Sequence, residues 1–530
     1  MRDLSYAINY FEIEWSLIRM KVRITILLLC SCWLIVHAAE LSQQNNKWYK
    51  DGQAALASNL AHTINTNTAK NIILVVSDGN GVGANYAARV WRGQQEGGYG
   101  DDYVMAYERF PHIALSKTYT VNAMTPDSAG TMTAMMTGIK TDQGLIGVDE
   151  TITRGSCLEG NAGKVTSFAS IAKALGKKVA IVSTARLTHA TPAAVYAHSS
   201  DRDFEDDSQL PADCAQPDIA QQLINKMLSH EVDVALGGGR RHFIDQTTID
   251  EEGQAGNRSD GKNLIALARD NGIQYVWDPT TLAAVDYTKP ILGLFESSHM
   301  EYEADRVSDP SLSMMTEAAV KAVQAHRAGY FLMIEAGRID HALHGGNLAR
   351  AVQDQNALER AVAWLVDNVD LEETLLIVTA DHEHSIAFNG YCGRGSNILG
   401  FCMQIDKHAI KHTGKPLLGQ DGKPYEVVSF TNGASSILKE VPEEEWYLDI
   451  TDEDIKQGLA WSGTRKTHEL AEDFHEHHDH RQEALIPLHA ETHSGEDVAI
   501  YSIGPWSHLL NGTLEQNVIF HVMQHAVTGN

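Results

Sequence analysis

Runs of apolar residues that end at a polar residue, each followed by a helix-like stretch, recur along the chain. Examples are NIILVVSDGNG, KKVAIVSTARLTHATP, YFLMIEAGRIDHALH and TLLIVTADHEH. Nearly continuous apolar strands that alternate with helices are typical of a parallel sheet with crossover connections. The pattern therefore predicts an α/β fold with a large, mostly parallel central sheet and helices on both of its faces.

Polar, acidic and histidine side chains stand at or just beyond the carboxyl ends of these predicted strands. They are Asp78, Thr191, Glu335, Asp340, His344, Asp381, His382 and, before one further strand, His493. Open α/β sheets bind ligands beyond the carboxyl ends of their strands. We therefore expect these side chains to form one site.

The stretch 391–487 interrupts the alternation of predicted strands and helices because it is rich in charged and turn-forming residues. We expect it to be a cap-like or crown-like insertion between core segments 69–390 and 488–530, with an N-terminal arm at 39–68 that contains one amphipathic helix. The run FHEHHDHR at 474–481 could hold a metal, although clustered histidines on an acidic loop also bind metal adventitiously.

Residues 24–40, ITILLLCSCWLIVHAAE, form an apolar run that is short for a membrane span and has small residues placed as before a cleavage site. This pattern predicts a signal peptide over 1–38 and export to the periplasm or the extracellular space. An uncleaved membrane anchor is the alternative. The C-terminal FHVMQHAVTGN lacks the hydrophobic tail of a lipid-anchor signal, so no stable anchor is expected after cleavage.

The formal charge is -27 over 530 residues, and removal of 1–38 makes it -28. Nucleic acid binding through a basic surface is therefore not expected. Cys157, Cys214, Cys392 and Cys402 follow the leader. An even count in an exported chain suggests two disulfides, most simply 157 with 214 and 392 with 402, although three pairings are possible.

TPDSAGTMTA, at 125–134, places Asp127 and Ser128 at the start of a predicted helix. One interpretation is a capping pair that satisfies free N–H groups of the first turn. The other is that Ser128 is a nucleophile, because a helix N-terminus favours negative charge. The second interpretation needs a base or a metal opposite Ser128, which no sequence neighbour provides.

The strand-end residues offer such a partner. Asp340 and His344 are four residues apart, so on a helix they can hold one zinc, or they can form an ordinary surface pair. Oxygen and imidazole donors of this kind suit zinc and magnesium with positions open for substrate. Two divalent ions about 4 Å apart can polarise a phosphoryl oxygen and bind an attacking alkoxide, which would activate Ser128.

Several motifs resemble those of alkaline phosphatases, above all the animal branch of that family. They are DGNG, TPDSAGT, RLTHATPAAVYAHSSDR, IEAGRIDHALH, TADHEH and ETHSGEDVAIY, in the family's order and approximate spacing between residues 71 and 525. The resemblance implies that small-molecule phosphate monoesters are hydrolysed through a phosphoserine on Ser128. It also implies two zinc ions and one magnesium ion per subunit, and a homodimer.

The resemblance further implies a set of metal ligands. One zinc would be held by Asp340, His344 and His493, the other by Asp78, Asp381, His382 and the Ser128 oxygen, and the magnesium by Asp78, Thr191 and Glu335. The family's phosphate-binding arginine corresponds to Arg202 rather than Arg186, with Asp127 as its orienting partner. A surface ion pair between Arg202 and a neighbouring aspartate is the alternative.

Asn80 stands where the family usually has methionine, which removes no ligand. His189 and His341 are shared with the animal branch, and an imidazole near the magnesium should weaken that site. His384 is expected to support a metal ligand.

Two rival functions are a phosphodiesterase of the same superfamily and an inactive metal-binding protein. A sulfatase is disfavoured because SAGTM lacks the C/S-x-P-x-R pattern.

Overall fold

A computed structural model describes residues 41–438, 465 and 477–529. The predicted signal peptide, most of the acidic half of the predicted insertion and residues 474–476 of the histidine run lie outside the described residues. The chain divides into two compact units, residues 1–63 and 64–530. The described part of the first unit contains a single helix, Lys47–Ala61, whose residues are all at least partly exposed and whose first turn is capped by Asn46.

The described residues form fifteen strands, all of which belong to the second unit. They are β1 Asn71–Ser77, β2 His112–Lys117, β3 Lys178–Arg186, β4 Val234–Gly238, β5 Gln274–Val276, β6 Ile291–Leu294, β7 Tyr330–Ala336, β8 Thr374–Thr379, β9 Glu383–His384, β10 Ile386–Phe388, β11 Val428–Gly433, β12 Ala484–Pro487, β13 His493–Ser494, β14 Val498–Ile503 and β15 Gly512–Glu515.

Twelve α-helices are described, and most of them follow a strand. They are α1 Lys47–Ala61, α2 Val82–Gln95, α3 Ser128–Thr137, α4 Phe168–Ala174, α5 Ala190–Tyr196, α6 Ile219–Leu228, α7 Leu264–Asp270, α8 Pro279–Ala283, α9 Leu312–Val323, α10 Arg338–His344, α11 Leu348–Asn368 and α12 Val518–Thr528.

Ten of the strands form one sheet in the order β15-β2-β14-β8-β1-β7-β3-β4-β6-β5. Every adjacent pair in this sheet is parallel except the two that include β14, which runs antiparallel to both β8 and β2. The prediction of a large, mostly parallel sheet is therefore confirmed.

Both faces of this sheet are buried, as the central strand β1 shows. Ile72, Leu74 and Val76 pack into one hydrophobic core together with residues of α3 to α7 and α12. Ile73 and Val75 pack into a second core together with residues of α2, α9 and α11. Because side chains alternate across a strand, the continuous apolar run predicted helices on both faces, and this prediction is also confirmed.

Register places the carboxyl ends of the three central strands side by side. Val76 of β1 pairs with Glu335 of β7 and with Thr379 of β8. Asp78, Glu335 and Asp381 therefore meet at one edge of the sheet. The candidate site lies at these strand ends.

Part of the predicted cap-like insertion and all four cysteines of the predicted disulfides lie within the described residues. Strands β10, β11 and β12 form a separate three-stranded sheet, so part of 391–487 pairs with the chain just before it. The boundaries of the insertion stay a prediction. The disulfides Cys157–Cys214 and Cys392–Cys402 are both formed, as the simplest pairing predicted.

Candidate active site

Three carboxylates crowd the edge of the sheet described above. Asp78, Glu335 and Asp381 are completely buried. Burial, and then the neighbouring carboxylates, raise the pKa of Asp78 well above its usual value. Burial, and to a smaller extent the charge of Asp381, raise the pKa of Glu335 to about 7. Buried like charges without a counter-ion are unstable, so this donor set favours a cation among them.

Helix α3 brings Ser128 to the same edge. Asp127 is its N-cap and accepts a hydrogen bond from the Gly130 N–H at 3.1 Å. The Ser128 hydroxyl lies 3.5 Å from Asp78 Oδ1 and 3.4 Å from His382 Nε2. The capping interpretation therefore describes Asp127, whereas Ser128 faces the strand-end groups that the nucleophile interpretation requires.

A second group of donors gathers around Asp340. This residue and His344 lie on the short helix α10, and β13 brings His493 opposite them. Asp340 Oδ1 is 3.4 Å from His344 Nε2 and 3.2 Å from His493 Nε2. The spacing of four residues thus places both α10 side chains toward one point, as predicted.

The backbone partners of these two histidines determine the tautomer that each neutral ring adopts. His344 Nδ1 donates to the carbonyl of Glu491 at 2.6 Å, and His493 Nδ1 donates to the carbonyl of Pro126 at 2.9 Å. A carbonyl only accepts, so in the neutral rings the Nε2 atoms carry lone pairs. These Nε2 atoms face each other at 3.0 Å. Facing lone pairs beside a carboxylate fit a bound zinc ion.

Two further donor groups share Asp78. In the first, His382 Nε2 lies 3.5 Å from Asp78 Oδ1 and 3.3 Å from Asp381 Oδ2. In the second, Asp78 Oδ2, Thr191 Oγ1 and Glu335 Oε1 are buried and have no hydrogen-bond partner among the described residues. Buried oxygen atoms are seldom left unpaired, so the second group fits a hard cation such as magnesium.

Arg202 is held beside Ser128 through Asp127, the residue that precedes Ser128 in the chain. Its Nη1 donates to Asp127 Oδ2 at 2.9 Å, and its Nη2 lies 3.0 Å from His189 Nε2. Arg186 instead makes two hydrogen bonds to Glu205, at 2.7 and 2.8 Å. This arrangement favours Arg202 over Arg186 as the arginine of the site.

Ser128, Arg202 and the donor group around Asp340 line one cavity of about 460 Å³. Its lining includes Ser128, His189, Arg202, Asp340, His341, His344 and His493. A hydroxyl, a guanidinium and metal-binding donors in one cavity suit the binding of a small anion.

The family model described as alkaline phosphatase matches residues 69–528. The chain belongs to the alkaline phosphatase family.

Relatives and solved structures agree with this assignment. The tissue-nonspecific alkaline phosphatase of Gallus gallus is 38% identical over 518 residues, covering 94% of this chain and 92% of the relative. The membrane-bound alkaline phosphatase of Bombyx mori is 34% identical over 474 residues, covering 86% and 80%. The Thermus thermophilus alkaline phosphatase structure shares the fold, with a TM-score of 0.59, 23% identity and coverage of 88% and 92%.

None of the described helices of this alkaline phosphatase family member is both long and apolar enough to cross a membrane.

Sequence reasoning missed the role of Glu491. Its carboxylate accepts from His384 Nδ1, and its carbonyl accepts from His344. Burial alone would lower the pKa of His384, but the Glu491 and Asp340 carboxylates raise it to about 10, and its Nε2 lies 2.8 Å from Asp340 Oδ1. His384 therefore orients a donor of the site, as expected, and Glu491 in turn orients His384. The position of Glu491 in the motif ETHSGEDV was the available signal.

The histidine run does not form a comparable site in its described part, 477–481. His480 is buried against Glu426, while His477 and His478 are largely exposed. No three metal-binding side chains converge there among the described residues.

Proposed function

We propose that this member of the alkaline phosphatase family hydrolyses phosphate monoesters to an alcohol and inorganic phosphate through a phosphoserine on Ser128. The observation that carries the proposal is the position of the Ser128 hydroxyl, which lies close to Asp78 and His382, while the neighbouring Asp127 anchors Arg202. A nucleophile, cation-binding donors and a phosphate-binding guanidinium thus share one cavity.

Three metal ions fit the three donor groups. Asp340, His344 and His493 would hold one zinc, Asp78, Asp381, His382 and the Ser128 oxygen a second zinc, and Asp78, Thr191 and Glu335 a magnesium. When bound, such ions lower the pKa of nearby hydroxyl groups and neutralise charge on phosphoryl oxygens. The family's homodimer, and export after signal cleavage, belong to the same proposal.

Hydrolysis proceeds in two steps, transfer of the phosphoryl group to Ser128 and hydrolysis of the phosphoserine. Ser128 Oγ loses its proton and attacks phosphorus in line, the ester P–O bond breaks, and the leaving oxygen takes up a proton to become the alcohol. Water then attacks the phosphoserine, which releases inorganic phosphate and returns a proton to Ser128. The N-terminus of α3 favours negative charge at Ser128 in both steps.

Arg202 binds the phosphate. A guanidinium has five N–H donors, and Arg202 uses one on each Nη atom for Asp127 and His189. One N–H on each Nη atom remains for two phosphate oxygens. The two anchored contacts fix the plane of the guanidinium, so phosphate meets an already oriented pair of donors.

Arg202→Ala is expected to raise the inhibition constant for inorganic phosphate about 10- to 100-fold, since two charge-assisted hydrogen bonds are lost. Phosphate inhibition of the purified enzyme measures this change. Arg186→Ala is the comparison variant. If Arg186→Ala weakens phosphate binding and Arg202→Ala does not, the two roles have been exchanged.

Hydrolysis of p-nitrophenyl phosphate and of the matching diester tests the function as a whole. We expect a preference for the monoester of at least about a hundredfold, because Arg202 and the Thr191 and Glu335 group serve a dianionic phosphate. Chelation should abolish the activity, and zinc with magnesium should restore it. A diester preference would favour the phosphodiesterase alternative, and no hydrolysis of either compound would favour an inactive metal-binding protein.

A further inference from the structure

The backbone of Gly144 connects the two partners that orient the phosphate-binding guanidinium. Its N–H lies 3.1 Å from both carboxylate oxygens of Asp127. Its carbonyl accepts the backbone N–H of Arg202 at 2.9 Å. One residue therefore positions both the carboxylate that holds the guanidinium and the main chain that carries it.

Neighbouring contacts hold this turn against the segment that contains Arg202. The backbones of Ile146 and Ser199 exchange hydrogen bonds at 3.0 and 2.8 Å. Arg154 makes two hydrogen bonds to Asp201, both at 3.1 Å, with its Nε and Nη2 atoms. The turn and the arginine segment thus form one connected unit.

Position 144 accepts only glycine without rearrangement. Its φ of +85° lies in the left-handed region, and a Cβ there would lie 2.4 Å from both Cζ and Nε of Arg154. Any side chain must displace either Arg154 or the turn itself. A displaced turn moves the N–H away from Asp127 and the carbonyl away from Arg202.

We propose that Gly144 is a positioning residue for phosphate binding, and this inference rests on the proposed function of Arg202. It acts through Asp127 and through the main chain of Arg202, and it does not touch the phosphate. Because position 144 has no side chain, Arg154 packs beside the turn without displacing it from the geometry that both hydrogen bonds require.

The test measures the inhibition constant of the holoenzyme for inorganic phosphate, with thermal unfolding and metal content recorded for each variant. We expect Gly144→Ala to raise this constant on the order of tenfold, since small displacements of positioning groups are costly. Arg154→Ala alone should change it by less than about fivefold, as for a partly exposed ion pair. The double variant should bind phosphate better than Gly144→Ala, because the added methyl group then has space.

Gly160→Ala is the matched control. Gly160 also has a left-handed φ, +59°, but no atom of the described residues lies within 4 Å of the position that a Cβ would occupy there. This variant should lose some stability and keep the wild-type inhibition constant.

Two results would overturn the inference. One is a Gly144→Ala enzyme that binds phosphate as the wild type does while Arg202→Ala does not. The other is an equal loss of phosphate binding in Gly160→Ala, which would assign the effect to general destabilisation. If Arg202→Ala also binds phosphate normally, the proposed function of Arg202 is wrong, and the inference fails with it.

Discussion

The Ser128→Ala variant is expected to lose between roughly 10³- and 10⁶-fold in kcat, the range seen when one group is removed from a hydrolase site. Ser128 is almost fully buried at the start of α3, and no other hydroxyl stands 3.4 to 3.5 Å from both Asp78 and His382 among the described residues. No covalent phosphoenzyme should form, whereas metal content should change little because the imidazole and carboxylate donors remain. Acid quenching after labelled phosphate is added measures the phosphoenzyme, and elemental analysis measures the metal.

Thr137→Ala is the matched control for this loss. Thr137 ends the same helix, and its buried hydroxyl donates to the Thr133 carbonyl at 2.7 Å, away from the strand ends. Its removal should destabilise the fold by about 1 kcal/mol and leave kcat unchanged. Covalent phosphate that persists in Ser128→Ala would rule out the nucleophile assignment.

Much of the sheet could be predicted because burial on both faces gives strands such as β1 and β8 continuous apolar sequences. The polar residues that follow these strands, Asp78 and Asp381, were predictable for a related reason. The apolar sequence stops at the carboxyl end of a buried strand, and side chains that bind ligands in α/β sheets lie just beyond that end. The chain could be placed in its family from motifs whose spacing is fixed by this geometry.

Contacts between distant segments could not be predicted in the same way. Glu491 supports His384 only because the two-stranded pairing of β9 with β13 brings residues 107 positions apart together. Gly144 is one of 42 glycines in the sequence, and it differs from Gly160 through its backbone hydrogen bonds to Asp127 and Arg202 and through the Arg154 side chain that packs against it. Both features depend on tertiary packing, which neither periodicity nor local spacing records.

The Asp340→Asn variant is expected to lose about one equivalent of zinc per chain and at least about a hundredfold in kcat. The substitution keeps the size of the side chain and removes the charge that faces the Nε2 atoms of His344 and His493. Those two histidines, held by backbone carbonyls, would keep their orientation but would bind zinc without an anionic partner. Elemental analysis after exhaustive dialysis measures the zinc, and activity is assayed before and after zinc is added back.

Asp354→Asn separates the loss of a zinc ligand from the loss of a buried carboxyl group. Asp354 is also buried, and burial raises its pKa to about 8, so near neutral pH it is largely protonated and an amide changes little charge. It accepts the Glu303 N–H at 3.1 Å, a contact that the amide oxygen can keep. Zinc content should therefore stay at the wild-type level in this variant. Equal zinc loss in both variants would show that the metal responds to packing of the core, and unchanged zinc in Asp340→Asn would remove Asp340 from the ligand set.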